Sequence, residues 1–263
     1  MRSSGVLSNR TALILGLALV PNLAAAQPSP RPEDTEIYSP IPTVVTPGDV
    51  AGASAPSDAI VLFDGRNLDQ WVNTRDKAPA GWMVADGVMT VNKATGNIET
   101  RRKFKNYQLH LEWRIPGDIT GSGQARGNSG LFLASTGPDD AGYELQILDS
   151  YENATYVNGQ AASVYKQSPP LVNAARKPGA WQSYDVIWTA PTFKPDGSLN
   201  SPARVTALHN GVLVQNDFVL KGETLYIGQP VYKAFDGAPI KLQGHSDPSK
   251  PISFRNIWVR PLP

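Results

Sequence analysis

"YQLHLEWRI", residues 107–115, reads as a half-buried β-strand. Tyr107, Leu109, Leu111 and Trp113 alternate with Gln108, His110, Glu112 and Arg114. Successive strand side chains point to opposite faces, so the first set predicts a core face and the second a polar one. The alternation returns in "GYELQILD", residues 142–149, with Tyr143, Leu145 and Ile147 set against Glu144 and Gln146. Working outward, Asp64-Gly65, Asp86-Gly87, Asn158-Gly159, Asp196-Gly197, Asn210-Gly211 and Asp236-Gly237 punctuate short runs rich in Val, Ile, Tyr, Phe and Trp. Such runs bounded by turn residues are strand signals. "GWMVADGVMTVN" (81–92) and "RVTALHNGVLVQN" (204–216) are hairpins, because Asp-Gly and Asn-Gly accept the left-handed backbone of a two-residue turn. No stretch of a dozen residues carries a helical period. The expected fold is all-β, a two-sheet jelly-roll sandwich.

The N-terminus reads differently. "MRSSGVLSNR" has two arginines and no acid, and "TALILGLALVPNLAAA" (11–26) is apolar, ending in small residues. This is the pattern of a secretory signal peptide, residues 1–26, cleaved near Ala26. Pro21 and Asn22 break the apolar run, which falls short of the ~20 residues of a membrane span. Residues 27–57 are dense in Pro and Ser and read as a linker, either a mobile or extended tether or a strap partly packed along the domain. Residues 58–263 remain as one β-domain. Cysteine is absent, which removes disulfides, thiolate metal sites and a lipoprotein anchor. Twenty-four basic residues against 23 acidic leave no basic stripe for nucleic acid. The expected location is the periplasm or the exterior of a bacterium.

Several polar strand faces are not those of a merely wet sheet. His110, Glu112 and Arg114 share one. Glu144 and Gln146 share another. Lys241, Gln243 and His245 share a third, with Arg255 following. If these strands are neighbours, acid, base and amide groups converge as a sugar-binding or acid–base site requires.

"IVLFDGRNLDQWV" (60–72), "GWMVADGVMTV" (81–91), "NSGLFLAS" (128–135), "GYELQILD" (142–149), "ASVYKQSPP" (162–170), "LQGHSDP" (242–248) and "SFRNIWVRPL" (253–262) follow one another in order. Together this set resembles the 3-keto-disaccharide hydrolase domain family, once a domain of unknown function. The resemblance covers nearly all of residues 58–263. It implies a concanavalin-like, laminarinase-like jelly roll acting on glycosides already oxidised at C3 by a partner oxidoreductase. It also implies cleavage by elimination, with or without later hydration. A C3 ketone acidifies the C2 hydrogen, so such a site needs a base near C2, donors for an enolate oxygen and an acid for the leaving oxygen. Laminarinase-like hydrolases carry acids at alternating strand positions. Here the series runs Glu144, Gln146, Leu148, so the retaining carboxylate pair is missing.

His245 and Glu144 are therefore the expected catalytic residues. Imidazole titrates near working pH, although a loop histidine pinning Asp247 is the plainer alternative. An acid between apolar neighbours must have partners. Gln146, Asn128, Lys166, Glu112, His110, Arg114, Gln243 and Arg255 are the expected substrate-binding residues, with Lys166 or Arg255 toward the enolate. Glu112 and Arg114 have a simpler alternative as a cross-strand ion pair. His209, before the Asn210-Gly211 turn, is expected at the surface. No cofactor is required by the sequence. A divalent metal stays open, with Asp139 and Asp140 as possible oxygen ligands. The competing reading is a carbohydrate-binding module with no turnover, since this fold hosts both.

Overall fold

The computed structural model describes Met1, residues 28–48 and residues 54–263. Apart from Met1, the expected signal peptide lies outside the described residues. Among them, regular structure consists of strands and short 3-10 turns, and no helix is long and apolar enough to cross a membrane.

Two sheets carry the domain. In the larger, Val212–Val219, Arg204–His209, Trp181–Thr189, Tyr107–Arg114 and Ser253–Pro261 run side by side. Ser253–Pro261 also pairs with Val88–Thr90, beyond which lies Met83–Ala85, and with Ile60–Phe63. In the smaller, the order is Trp71–Asn73, Ile98–Thr100, Lys241–Leu242, Ser129–Ser135, Gly142–Ile147. Both predicted hairpins form. Asp86 and Gly87 have φ of 52° and 76°, and Asn210 and Gly211 have 53° and 78°, the doubly left-handed turn that matches strand twist.

The sheets face each other across one core. Tyr107, Leu109, Leu111 and Trp113 from one sheet and Tyr143, Leu145 and Ile147 from the other are all fully buried in the same cluster. Burial of such side chains is the main stabilising term. Two core phenols bond across the layers, Tyr107 donating to the Leu133 carbonyl at 2.6 Å and Tyr184 to the Gln146 carbonyl at 2.7 Å. His209 is a correction to the surface expectation. Its ring stacks on Trp113 with centroids 5.6 Å apart and meets the Tyr184 edge at 5.1 Å. Burial, reinforced by Arg176, lowers its pKa to about 3, so it is a neutral core residue whose hairpin turns inward at its end.

This sandwich separates the polar faces that the sequence put forward together. The apolar faces of Tyr107–Arg114 and Gly142–Ile147 pack toward one another, so their polar faces point opposite ways. His110, Glu112, Arg114 and Arg255 lie on the back of the larger sheet. There the His110 ring stacks on Trp258, centroids 5.4 Å apart, with Nδ1 2.7 Å from Asp185 and Nε2 3.6 Å from Glu112. Glu112 accepts from Arg255 at 2.6 Å and Asn256 at 2.9 Å. The Arg255 and Arg114 guanidinium groups stand 4.0 and 4.6 Å from the Trp181 ring.

Burial opposes charge on His110, but its bond to Asp185 and the nearby Glu112 carboxylate outweigh burial and raise its pKa to about 9. Burial also opposes charge on Glu112, yet His110, Asn256 and Arg255 hold it at about 2. A raised histidine pKa gives stability that is complete below the unfolded value of 6.5 and is lost as pH climbs through about 9. The melting temperature is therefore expected to fall across that interval. His110→Gln should melt lower at pH 6 and lack the decline; an unchanged slope would refute the assignment.

Of the two readings of the linker, its described part takes the packed one. Thr43–Val44 pairs in parallel with Val172–Asn173. The Asn158 side chain, fully buried, accepts from the Ile37 N–H and donates to the Thr35 carbonyl, both at 2.9 Å.

Candidate active site

The outer face of the smaller sheet opens into a cleft of about 590 Å³, within the usual range for small-molecule sites. Gly130 lies beneath the Glu144 carboxyl group. Gly130 pairs with Gln146 on one side and accepts from the Gln243 N–H at 3.0 Å on the other. A Cβ at this position would stand 2.2 Å from Glu144 Oε1. Glycine thus leaves the space that the Glu144 carboxyl group occupies.

Glu144 projects from mid-strand into this cleft and is 6% exposed. Among the described residues its carboxyl group makes no hydrogen bond. Burial and then the charge of Asp140 push its pKa well above the carboxylate range, with Lys241 opposing. Lys241 lies beneath, fully buried. Its Nζ donates to the carbonyls of Gly137, Asp139 and Ala141 at 3.0, 2.9 and 2.7 Å. Burial lowers its pKa to about 8, but three carbonyl acceptors consume three N–H groups, so the site holds the ammonium form.

His245 stands on one rim, its side chain 32% exposed. Its Nδ1 is 3.1 Å from both the Asp247 carboxylate and the Asp247 N–H. Nδ1 either accepts from the Asp247 N–H or donates to the Asp247 carboxylate, and in the second tautomer Nε2 keeps its lone pair. Asp247 is itself fixed, with Lys93 Nζ 3.0 Å away and the Ser249 N–H at 2.9 Å. Burial opposes its charge, but His245, Ser249 and Lys93 outweigh it and hold the carboxyl below its ordinary value.

Amides and phenols complete the walls. Gln124 joins Asn128 to Gln146, accepting from them at 2.9 and 3.0 Å. Gln243 donates to Asp140 at 2.8 Å. The Tyr156 and Tyr165 hydroxyls are 2.9 Å apart. Burial pushes both phenols above their ordinary pKa. They stay protonated, and since one bonds the other, one O–H is left for a ligand.

The fold therefore brings together Glu144, Gln146, Asn128, Gln243 and His245 from the expected set. It does not bring His110, Glu112, Arg114 or Arg255, which sit on the opposite face of the sandwich. Lys166 is close but turned away, donating to the carbonyls of Pro32 and Tyr226 at 2.7 and 2.9 Å. The residue facing the cleft is its neighbour Tyr165. Both belong to "VYKQSPP", and charge alone favoured the lysine. Tyr156, Tyr226, Gln124 and Glu36 also line the cleft with no signal in the sequence. A larger hollow of about 870 Å³, bounded by Tyr38, Ile41, Val44 and Tyr151, lacks a comparable acid and base.

Residues 58–260 match the family described as the 3-keto-alpha-glucoside-1,2-lyase-like domain. The chain belongs to this family. A 3-keto-disaccharide hydrolase of Bacteroides thetaiotaomicron is 26% identical over 164 residues, 50% of this chain and 54% of that protein. The chain thus spans about half the length of that curated relative. The crystal structure of a presumed glycosyl hydrolase from Parabacteroides distasonis superposes with a TM-score of 0.76 at 52% identity, covering 88% of this chain and 96% of that one. A second from the same organism, at 21% identity and a TM-score of 0.58 over 78% and 94% of the two chains, shares the fold.

In this lyase-like domain, no group of three or more His, Cys, Asp or Glu side chains among the described residues is arranged to hold a metal ion. Asp139 pairs instead with Arg75 at 2.7 Å, and Asp140 accepts from Gln243 and Asn97 at 2.8 and 3.2 Å.

Proposed function

We propose that the cleft cleaves 3-keto-glycosides by elimination across C1 and C2. The observation that carries this reading is the contrast between its two titratable groups. Glu144 is buried with no hydrogen-bond partner for its carboxyl among the described residues, which favours its neutral form, whereas His245 is accessible and backed by an ionised Asp247. A neutral carboxyl group and an accessible imidazole in one cleft can serve as acid and base. His245 Nε2 takes the C2 proton, and its electrons form the enolate of the C3 ketone. The spare phenol proton of the Tyr156–Tyr165 pair stabilises the enolate oxygen, a role that replaces the Lys166 and Arg255 expected from sequence. The enolate then expels the C1 oxygen, which takes the Glu144 proton, leaving an unsaturated keto sugar. Water adding across that double bond would complete a net hydrolysis, so lyase and hydrolase outcomes share one first step.

The substrate must arrive with its C3 carbon already oxidised, so a glycoside 3-oxidoreductase is the expected supplier. Residues 1–26 act in this reading as an export signal, which places the enzyme in the periplasm or outside the cell. The test compares a chromogenic 3-keto-glucoside with its unoxidised parent in deuterated water. Release from the keto sugar alone, with deuterium entering C2 of the hydrated product, is expected. Equal release from the parent sugar would make this a conventional glycosidase. Saturable binding without release from either would make it a binding module.

A further inference from the structure

The two phenols of the cleft share an anchor outside the matched domain. Tyr156 and Tyr165 are each followed directly by residues that grip residues 32–38, a segment that precedes residues 58–260. Next to Tyr156, the Val157 N–H donates to the Ile37 carbonyl at 2.6 Å. The Asn158 amide completes that grip on the Ile37 N–H and the Thr35 carbonyl. Next to Tyr165, the Lys166 N–H donates to the Asn158 carbonyl at 2.8 Å, which ties the two phenol-bearing stretches together. Lys166 Nζ then reaches the Pro32 carbonyl at 2.7 Å and lies 3.6 Å from Glu36, with the lysine side chain 2% exposed. Lys166 holds a left-handed φ of 57°. At a residue other than glycine this conformation persists only where its surroundings fix it.

The segment also packs on a phenol directly. The Tyr38 ring meets the Tyr156 ring edge-on, centroids 6.4 Å apart, and the Tyr38 hydroxyl donates to Glu36 at 2.7 Å. The Tyr156 ring lies against Gly159, where a Cβ would stand 2.0 Å from it. Tyr156 is thus confined by Gly159 and by the segment. The bond between the two hydroxyls, 2.9 Å long, needs both rings held at once. A donor aimed at developing charge is worth most when it is fixed before the charge appears.

We propose that residues 32–38 are a positioning segment of the active site, acting through Asn158 and Lys166 to hold the Tyr156–Tyr165 pair with one O–H directed at the enolate. This rests on the elimination reading, in which that pair stabilises the enolate oxygen. Asn158 and Lys166 are positioning residues that act through the phenols. Releasing the segment leaves both phenols in the cleft but free to turn, so the cost falls on kcat more than on KM.

The test is a mutant cycle on the full chain with a nitrophenyl 3-keto-glucoside. Ile37→Pro deletes the N–H that Asn158 accepts. The preceding Glu36 has φ −79° and ψ 135°, the extended conformation that a following proline favours. Ile37 is 39% exposed and outside the core. Asn158→Asp keeps the shape of the amide but cannot donate to the Thr35 carbonyl. Each variant should lower kcat about tenfold and move KM less than about twofold, since a loosened donor costs less than one removed. Ile37→Val keeps the N–H and should be fully active. Tyr156→Phe/Tyr165→Phe should lose about 10²-fold, and adding Ile37→Pro to it should cost nothing more. Thermal melts check that each variant is folded. Full activity in both Ile37→Pro and Asn158→Asp, or an undiminished Ile37→Pro penalty in the chain without the two phenols, overturns the positioning role and leaves the elimination reading standing. No nitrophenol from the wild type sinks the elimination reading and the proposal with it.

Discussion

Glu144→Gln should fold normally and lose about 10²–10⁴-fold in kcat on a 3-keto-glycoside with a poorly departing alkyl or sugar aglycone. The amide keeps the shape of the acid but has no proton to give. On a nitrophenyl 3-keto-glycoside the loss should be much smaller, because that oxygen leaves without protonation. His245→Ala removes the base and should depress both substrates alike by a similar factor. The split between leaving groups is the signature of an acid. If Glu144→Gln harmed both substrates equally, Glu144 would instead be the base, and the roles would exchange.

Gly130→Ala is the second large effect. The added Cβ would fall 2.2 Å from Glu144 Oε1 and 3.0 Å from the Phe132 ring. Backbone bonds pin the Gly130 strand from both sides, so the Glu144 carboxyl must yield. A shift of about 1 Å in a catalytic group costs on the order of 10²-fold. The expectation is a loss of that size in kcat on the alkyl-leaving substrate, with a thermal transition still cooperative and close to wild type. A fully active Gly130→Ala would mean that Glu144 is not held where the reaction needs it.

The contrast between the two polar strand faces shows what a sequence transmits. The alternation in 107–115 and 142–149 identified which side chains are core and which are not. Period-two patterning says that a strand has two faces. It cannot say whether the polar faces of two strands meet. In a sandwich the apolar faces meet, so when the strands fall in different sheets the polar faces must diverge. That is why His110, Glu112, Arg114 and Arg255 share a network behind the larger sheet while Glu144 and Gln146 open forward.

Other losses have equally local causes. Lys166 outweighed Tyr165 because charge is visible in a sequence and orientation is not. Lys166 has φ of 57°, a conformation no residue count foretells, and its amine turns to backbone carbonyls. Glu36 sat in a Pro-rich stretch too poor in apolar residues to announce a docked segment. Its position depends on Asn158, 122 residues away in sequence, whose buried amide needs the Thr35 carbonyl and the Ile37 N–H as partners.

The chain by itself determined the local rules: strand periodicity, two Asn-Gly and Asp-Gly hairpins, a core face for each long strand, and an ordered set of motifs distinctive enough to place the family. The strand and turn rules follow from short-range sterics and from which side chains leave water, and the family follows from the resemblance of the motif set. The tertiary structure alone decided which polar faces converge, that Gly130 makes room for the Glu144 carboxyl, and that Tyr165 rather than Lys166 faces the cleft. Those depend on how two sheets stack and on which buried polar groups find partners far along the chain, and neither is written in any one stretch of it.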